Sequence, residues 1–123
     1  MSTGKRRGLP IYDATAPIVC SLDEGQREER LALIARLRDE LEQVDRTEHG
    51  MLLRFPSDRD LDAEIQHFAQ VEKACCGFWG FDVQRAGSRT TLRWDAPPAA
   101  DDLVELLLAW LRGDDGADIT TLL

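Results

Sequence analysis

Apolar residues recur along the chain at two different spacings, and each spacing predicts a different kind of element. Three stretches show the three- and four-residue spacing of an amphipathic helix. Their apolar faces comprise Leu31, Ile34, Leu37, Leu41 and Val44, then Leu61, Ile65, Phe68, Val71 and Cys75, then Leu103, Leu106, Leu107, Trp110 and Leu111. Three other stretches, residues 51–55, 79–83 and 90–94, alternate between two faces in the manner of half-buried strands.

Turn and capping residues set the expected ends of these elements. Ser21 and Ser57 are placed as N-caps, so the first helix is expected to run from Ser21 to about Arg46 and the second from Ser57 to Gly77. Gly77 has the position of a C′ glycine that stops a helix. Residues 86–88 predict a hairpin turn, and residues 16–20 predict a short edge strand before the first helix.

The predicted order of elements is β-α-β-α-β-β-α, which favours an α+β fold with a small, mainly antiparallel sheet packed against three helices. Residues 1–15 are polar and contain Gly and Pro, and they are interpreted as a flexible N-terminal tail. Residues 16–112 are then a single α+β domain, followed by a C-terminal tail at 113–123. The narrow apolar stripe of the first helix also allows a homodimer contact, although packing on the chain's own sheet is the simpler interpretation.

Composition and net charge argue against some classes of binding partner for this chain. With 43% hydrophobic and 31% charged residues, the chain is typical of a soluble globular protein. Its net charge of −8 argues against a nucleic-acid partner, because phosphate contact needs a basic surface. No apolar run is long enough to cross a membrane, and no apolar targeting segment follows the basic residues 5–7. We therefore expect a cytoplasmic protein whose three cysteines are reduced.

The candidate chemistry lies in residues 72–81, where two of the three cysteines are adjacent. Cys75 extends the apolar face of the second helix. Cys76 is rotated from that face by about 100° and is expected to be the more exposed thiol. Cys20 precedes the N-cap of the first helix, where the helix dipole favours a thiolate. If the start of that helix lies beside the end of the second, three sulfurs meet in one site.

Three thiolates without an evident fourth ligand suit a soft metal or metalloid ion, such as Hg(II) or As(III), better than a hard cation. Glu72 lies four residues before Cys76 and faces the same way along a helix. It is a candidate metal ligand or proton acceptor, but a solvated helix charge is the favoured interpretation. The predicted metal site therefore consists of Cys20, Cys75 and Cys76, with Glu72 as an additional candidate.

Two other interpretations of the cysteines stay open. A disulfide from Cys20 to Cys75 or Cys76 would indicate a redox switch or thiol enzyme. A bond within the adjacent pair would be strained, because neighbouring Cα atoms are only about 3.8 Å apart. Alternatively, buried cysteines serve as small apolar core residues in a structural or dimerising interaction module. No catalytic triad, phosphate-binding loop or carboxylate pair is evident, so catalysis is not indicated.

The stretch from Glu72 to Phe81 resembles the motif E-x-x-C-C-P-F-[aromatic or Leu]-x-F of small bacterial proteins, some of them associated with mercury and other heavy-metal resistance. Glu72, Cys75, Cys76, Phe78 and Phe81 match the motif, and Gly77 replaces its proline. Residues 19–22 and 53–56 are similar to an upstream Val-Cys-Ser-Leu segment and a Leu-Arg-Phe-Pro strand, so the resemblance spans residues 18–111. It implies thiol-based handling of a heavy metal, with Cys20 as the upstream cysteine.

Overall fold

The computed structural model describes residues 11–13, 15–16, 24–56 and 58–114, with only the backbone described for residues 24–27, 59 and 75. Three helices and four strands occur in this part of the chain. In order, they are α1 (Glu24–Glu40), β1 (Gln43–Arg46), β2 (Gly50–Pro56), α2 (Arg59–Cys75), β3 (Gly80–Ala86), β4 (Arg89–Asp95) and α3 (Asp101–Leu111). A short 3₁₀ turn, Pro98–Ala100, leads into α3.

The four strands form one antiparallel sheet in the order β1-β2-β4-β3. The register places Val44, Leu53, Leu92 and Val83 in one row across the sheet. Because side chains alternate along a strand, Met51, Leu53 and Phe55 share one face of β2, and all three are buried. The opposite face carries half-buried residues such as Leu52, Arg54 and Arg93, so the two faces of the sheet differ sharply.

The helices contribute to a single hydrophobic cluster with the buried face of the sheet. Ile34 and Leu37 of α1, Ile65 and Phe68 of α2, and Val104, Leu107 and Leu108 of α3 all belong to it. The predicted α+β fold, with an antiparallel sheet packed against three helices, is therefore confirmed. In the described residues, no helix has the length and apolar character needed to span a membrane.

The start of the element order differs from the prediction. The strand expected at residues 16–20 falls almost wholly outside the described residues, as do most of the tails expected at 1–15 and 113–123. The first helix ends at Glu40 instead of Arg46, and residues 43–46 form β1. The helical spacing of Leu41 and Val44 misled the prediction, since Val44 is buried as the strand partner of Leu53. Pairing with a distant strand thus prevailed over a local periodicity.

Capping also differs in detail from the expectation. Ser57 lies outside the described residues, and the N-cap of α2 is Asp58, whose carboxylate accepts from the backbone N–H groups of Asp60 and Leu61. The hairpin between β3 and β4 turns at Gly87 with a φ of 62°, as its sequence predicted. Gly113, with a φ of 106°, follows the end of α3. Gly77 is not in the left-handed region, so α2 ends without the expected C′ glycine geometry.

Candidate functional site

Cys76 terminates α2 and lies inside the protein. It is the C-cap residue, with φ −127° and ψ 82°, and its N–H donates to the Glu72 carbonyl at 2.7 Å. The residue is fully buried. Its sulfur is disulfide-bonded, so the expectation that all three cysteines are reduced is wrong for Cys76 in this structure. The sequence has two other cysteines, Cys20 and Cys75; the first lies outside the described residues, and the side chain of the second is not among those described.

The expectation that Cys76 is the more exposed thiol is wrong. The rotation of 100° per residue applies only within a regular helix, whereas Cys76 has non-helical backbone angles and a buried side chain. Phe78 and Trp79 are both buried in the turn that precedes β3, which begins only at Gly80.

Residues 76–79 form a tight turn, named here the cysteine turn. The Trp79 N–H donates to the Cys76 carbonyl at 3.1 Å. The Lys73 ammonium, one helical turn before Cys76, donates to the carbonyls of Gly77 and Trp79, the latter at 2.7 Å. The donors of Lys73 are thus directed to the backbone of the turn.

Aromatic side chains form the inner wall of the cysteine turn. The rings of Phe78 and Trp79 have centroids 4.4 Å apart, and Trp79 meets Trp94 edge-to-face at 5.2 Å. Phe68 and Phe81 also contact Trp94. Such contacts fix Trp79 against the sheet, so the residue that closes the turn is part of the main core.

Glu72 is buried beneath the same turn and is paired with Arg30 of α1. The two side chains form a bidentate ion pair, in which Arg30 Nε donates to Oε2 and Nη2 donates to Oε1 at 2.7 Å. Interpreting Glu72 as a solvated helix charge is therefore wrong, because the residue is only 1% exposed. As both carboxylate oxygens accept from Arg30, the pair joins α1 to the last turn of α2 directly before Cys76.

The electrostatics of Glu72 reflect two opposing effects. Burial raises the pKa of its carboxyl group, because the ionised form loses hydration. The hydrogen bonds and charge of Arg30 act in the other direction and lower this pKa. The Trp79 indole also lowers the pKa of Glu72, although its N–H makes no well-formed hydrogen bond with any described group. Arg30 thus offsets part of the free-energy cost of burying the Glu72 carboxylate.

Arg30 is a residue of this region that sequence reasoning missed. The apolar face of α1 includes Ile34 and Leu37, and Arg30 lies four and seven residues before them. That spacing places Arg30 on the buried face, where it is 3% exposed. The signal in the sequence was an arginine at the spacing of the apolar face of α1. A charge at such a position indicates a buried carboxylate partner, because an unpaired buried charge is costly.

The described part of the N-terminal segment lies along the cysteine turn. Ile11 N–H donates to the Asp95 carboxylate at 3.2 Å, and Asp13 N–H donates to the Phe78 carbonyl at 3.3 Å. Gly80 permits this approach, since a Cβ there would lie 2.2 Å from the Ile11 oxygen. Further along, the Ala16 methyl lies 3.9 Å from the position that a Cβ would take on Gly77. The chain therefore runs past the turn that holds Cys76.

Of the four predicted metal ligands, the structure describes the side chains of Cys76 and Glu72. Among the described residues, no group of three His, Cys, Asp or Glu side chains is arranged to hold a metal ion. Comparisons of the chain with protein-family models, with curated proteins and with solved structures find no match. A function must therefore be inferred from the residues around Cys76 themselves.

Proposed function

We propose that this chain is a cytoplasmic thiol-based binding protein for a soft metal or metalloid ion of the Hg(II) or As(III) class, with sulfurs from Cys20, Cys75 and Cys76. The supporting observation is the disulfide at Cys76. A disulfide requires two sulfurs within about 2.05 Å, so a second cysteine sulfur is available to Cys76. Two neighbouring thiols, once reduced, are the smallest protein site that a thiophilic ion prefers over oxygen ligands.

Cys20 is the favoured partner of Cys76. Adjacent residues have Cα atoms about 3.8 Å apart, whereas disulfides ordinarily need about 4.4–6.8 Å, which disfavours a bond within the pair. The path of the N-terminal segment supports the alternative. Ala16 approaches Gly77 in the cysteine turn, and Cys20 follows four residues later, within about 14 Å of extended chain.

Capture of an ion begins from the reduced protein. Two molecules of a low-molecular-weight cellular thiol supply two electrons and two protons to the disulfide and are themselves joined in a new disulfide. Arsenous acid, As(OH)₃, then reacts with three thiols to form three As–S bonds and release three waters. Hg(II) instead exchanges two weaker ligands for two thiolates, and the two thiol protons pass to solvent.

Glu72 receives a positioning role in this proposal. Both of its carboxylate oxygens accept from Arg30, so a bond to the ion would first require that buried pair to break. Its backbone carbonyl holds the Cys76 N–H at 2.7 Å, which fixes the residue at the end of α2. The buried rings of Phe78 and Trp79 limit the access of water, a condition that favours retention of the ion.

Binding of As(III) and Hg(II) to the reduced protein tests this proposal. We expect one ion per chain for wild type and loss of tight binding in the Cys75→Ser, Cys76→Ser double variant. The Cys20→Ser variant should bind As(III) more weakly while retaining a dithiol site for Hg(II). Circular dichroism confirms that each variant is folded. Binding by the double variant as tight as that of wild type would refute the proposal.

A cysteine redox switch is the second candidate, and the disulfide at Cys76 favours it directly. In that case, mild peroxide should remove two hydrogens from the reduced protein, and a thiol reductant should restore them. Mass spectrometry of the intact chain and its peptides measures this change. A switch requires that this oxidation and reduction occur without any metal. It also requires that the oxidised and reduced states differ in structure or partner affinity. Reversible oxidation with no such difference between the states supports the binding protein instead.

A further inference from the structure

Cys76 lies inside the protein as the first residue of the cysteine turn. Cys76, Phe78 and Trp79 are buried, whereas Lys73 lies on the exposed side of the same turn. We propose that residues 76–79 are a gate held closed by Lys73, and that Lys73 sets the rate at which thiophilic ions and thiol reagents reach Cys76. This inference deepens the proposed function and rests on it, since a gate has a role only if Cys76 reacts.

Lys73 connects two points of the turn, and this pair of contacts is called the clamp here. One ammonium group donates to two carbonyls of the turn, those of Gly77 and Trp79, which flank Phe78. Hydrogen bonds from a charged donor are about twice as strong as neutral ones, so Lys73 supplies the strongest polar side-chain contact described for the turn. The backbone contacts of the turn are Cys76 N–H to the Glu72 carbonyl at 2.7 Å, Trp79 N–H to the Cys76 carbonyl at 3.1 Å and Asp13 N–H to the Phe78 carbonyl at 3.3 Å.

The rest of the turn offers little resistance to opening at Gly77. A Cβ placed on Gly77 would meet only the Ala16 methyl, at 3.9 Å. The glycine therefore has no side chain that must repack when it moves. Trp79, by contrast, is anchored by its edge-to-face contact with Trp94. The end of α2 and Trp79 are both fixed, so movement is expected at the residues between them, Gly77 and Phe78. Lys73 connects the end of α2 to the carbonyls on either side of Phe78.

Opening the clamp does not bury a charge. The Lys73 side chain is exposed, so its ammonium exchanges two carbonyls for water when it leaves. Asp13 also lies near: hydrogen bonds from Thr15 are the main cause that lowers the pKa of its carboxyl, and the Lys73 charge adds to this lowering. An exposed cation that holds the turn beside a buried cysteine is suited to a reversible gate, because its contacts break without unfolding the core. A fully buried contact would open only with global unfolding.

Alkylation of the reduced protein by iodoacetamide under native conditions tests the gate without any metal. Peptide mass spectrometry separates modification of Cys76 from that of Cys75 and Cys20. We expect the rate at Cys76 to rise about tenfold in Lys73→Met, the factor that corresponds to about 1.4 kcal/mol of clamp strength. Lys73→Arg, which keeps a cationic donor, should remain close to wild type. Arg85→Met serves as a control for loss of one exposed positive charge on β3.

Amide hydrogen exchange in β4 separates gating from general loss of stability. The gate predicts faster alkylation in Lys73→Met with unchanged exchange of the Leu92 amide. The proposal is overturned if the alkylation rate at Cys76 is unchanged, or if it rises only in proportion to exchange in β4. A chain that fails to bind Hg(II) or As(III) can still show the gated alkylation, so this test and the binding test fail separately.

Discussion

Replacing Arg30 with methionine removes the cation from the most buried ion pair described in the chain. Arg30 and Glu72 have side-chain exposures of 4% and 1%, and the pair joins α1 to the end of α2. Methionine keeps a long unbranched side chain and fills part of the space. The Glu72 carboxylate is then left in the core without its bidentate partner. We expect a large loss of stability from this one substitution.

The size of the loss follows from the burial of both groups. Removing one member of a buried ion pair costs about 3–5 kcal/mol, because the other charge stays desolvated. A domain of this kind has a free energy of unfolding of about 5–15 kcal/mol, so roughly a fifth or more of the stability is at stake. With a urea dependence of about 1–3 kcal/mol per molar, the unfolding midpoint should fall by roughly 2 M. Fluorescence of the buried Trp79 and Trp94 reports the transition.

The same variant should acquire a distinctive pH dependence. Burial already raises the pKa of Glu72, and Arg30 is what opposes that rise. Without Arg30 the folded pKa rises further, so the folded state retains a proton that the unfolded chain releases above its ordinary value of 4.5. The free energy of unfolding therefore falls as pH rises through the folded pKa. Arg30→Met should lie closer to wild type near about pH 5 than near about pH 8.

A second ion pair between the same two helices supplies the control. Arg36 and Glu64 are also bidentate, but their side chains are 65% and 30% exposed. Arg36→Met should shift the urea midpoint far less, because solvent screens an exposed pair. The double variant Arg30→Met, Glu72→Gln should recover stability at neutral pH and lose the added pH dependence. Equal midpoint shifts for Arg30→Met and Arg36→Met, or a variant that gains stability as pH rises, would refute this reasoning.

Three further substitutions test the local geometry, each followed by thermal or urea unfolding. Gly77→Ala should raise the free energy of unfolding by about 0.4–1 kcal/mol, because its backbone is not left-handed and a methyl group there has room; a loss would show that the turn needs glycine. Gly80→Ala should instead destabilise by about 1–3 kcal/mol, because its Cβ would lie 2.2 Å from the Ile11 oxygen; an unchanged midpoint would contradict the close approach of that segment. Asp58→Ala should cost about 0.5–2 kcal/mol through loss of the N-cap of α2, while Asp58→Asn retains most of it.

The predictable part of the fold came from strong local patterns. The alternation of Met51, Leu53 and Phe55 places them on one face of β2, and Leu92 and Trp94 lie on the same face of β4. In α3 only part of the predicted stripe is in the core: Leu107 and Leu111 are buried together with Val104 and Leu108, whereas Leu103, Leu106 and Trp110 are only partly buried. The residues of β1 had no such signal, since Leu41 and Val44 suit a helix equally well. Only the distant partner Leu53 decides that Val44 belongs to a strand.

The end of α2 near the adjacent cysteines was predictable, but the surroundings of Cys76 were not. The stretch around Cys75 and Cys76 ends α2 and turns into β3, as its composition indicated. The burial of Cys76 depends on the backbone angles of a single C-cap residue, which periodicity does not encode. The role of Glu72 depends on Arg30, which is 42 residues away in the sequence. Long-range pairing of this kind is visible from sequence only as a charge within an apolar stripe.

X-ray absorption at the arsenic edge, measured on reduced protein loaded with one As(III) per chain, counts the sulfur atoms around the ion. The proposed site predicts three sulfur neighbours and no oxygen for wild type. Cys76→Ser should lose one sulfur neighbour, because the buried residue at the end of α2 is then no longer a thiol. An oxygen shell like that of free arsenite, or an unchanged sulfur shell in Cys76→Ser, would contradict a soft-ion site built on Cys76.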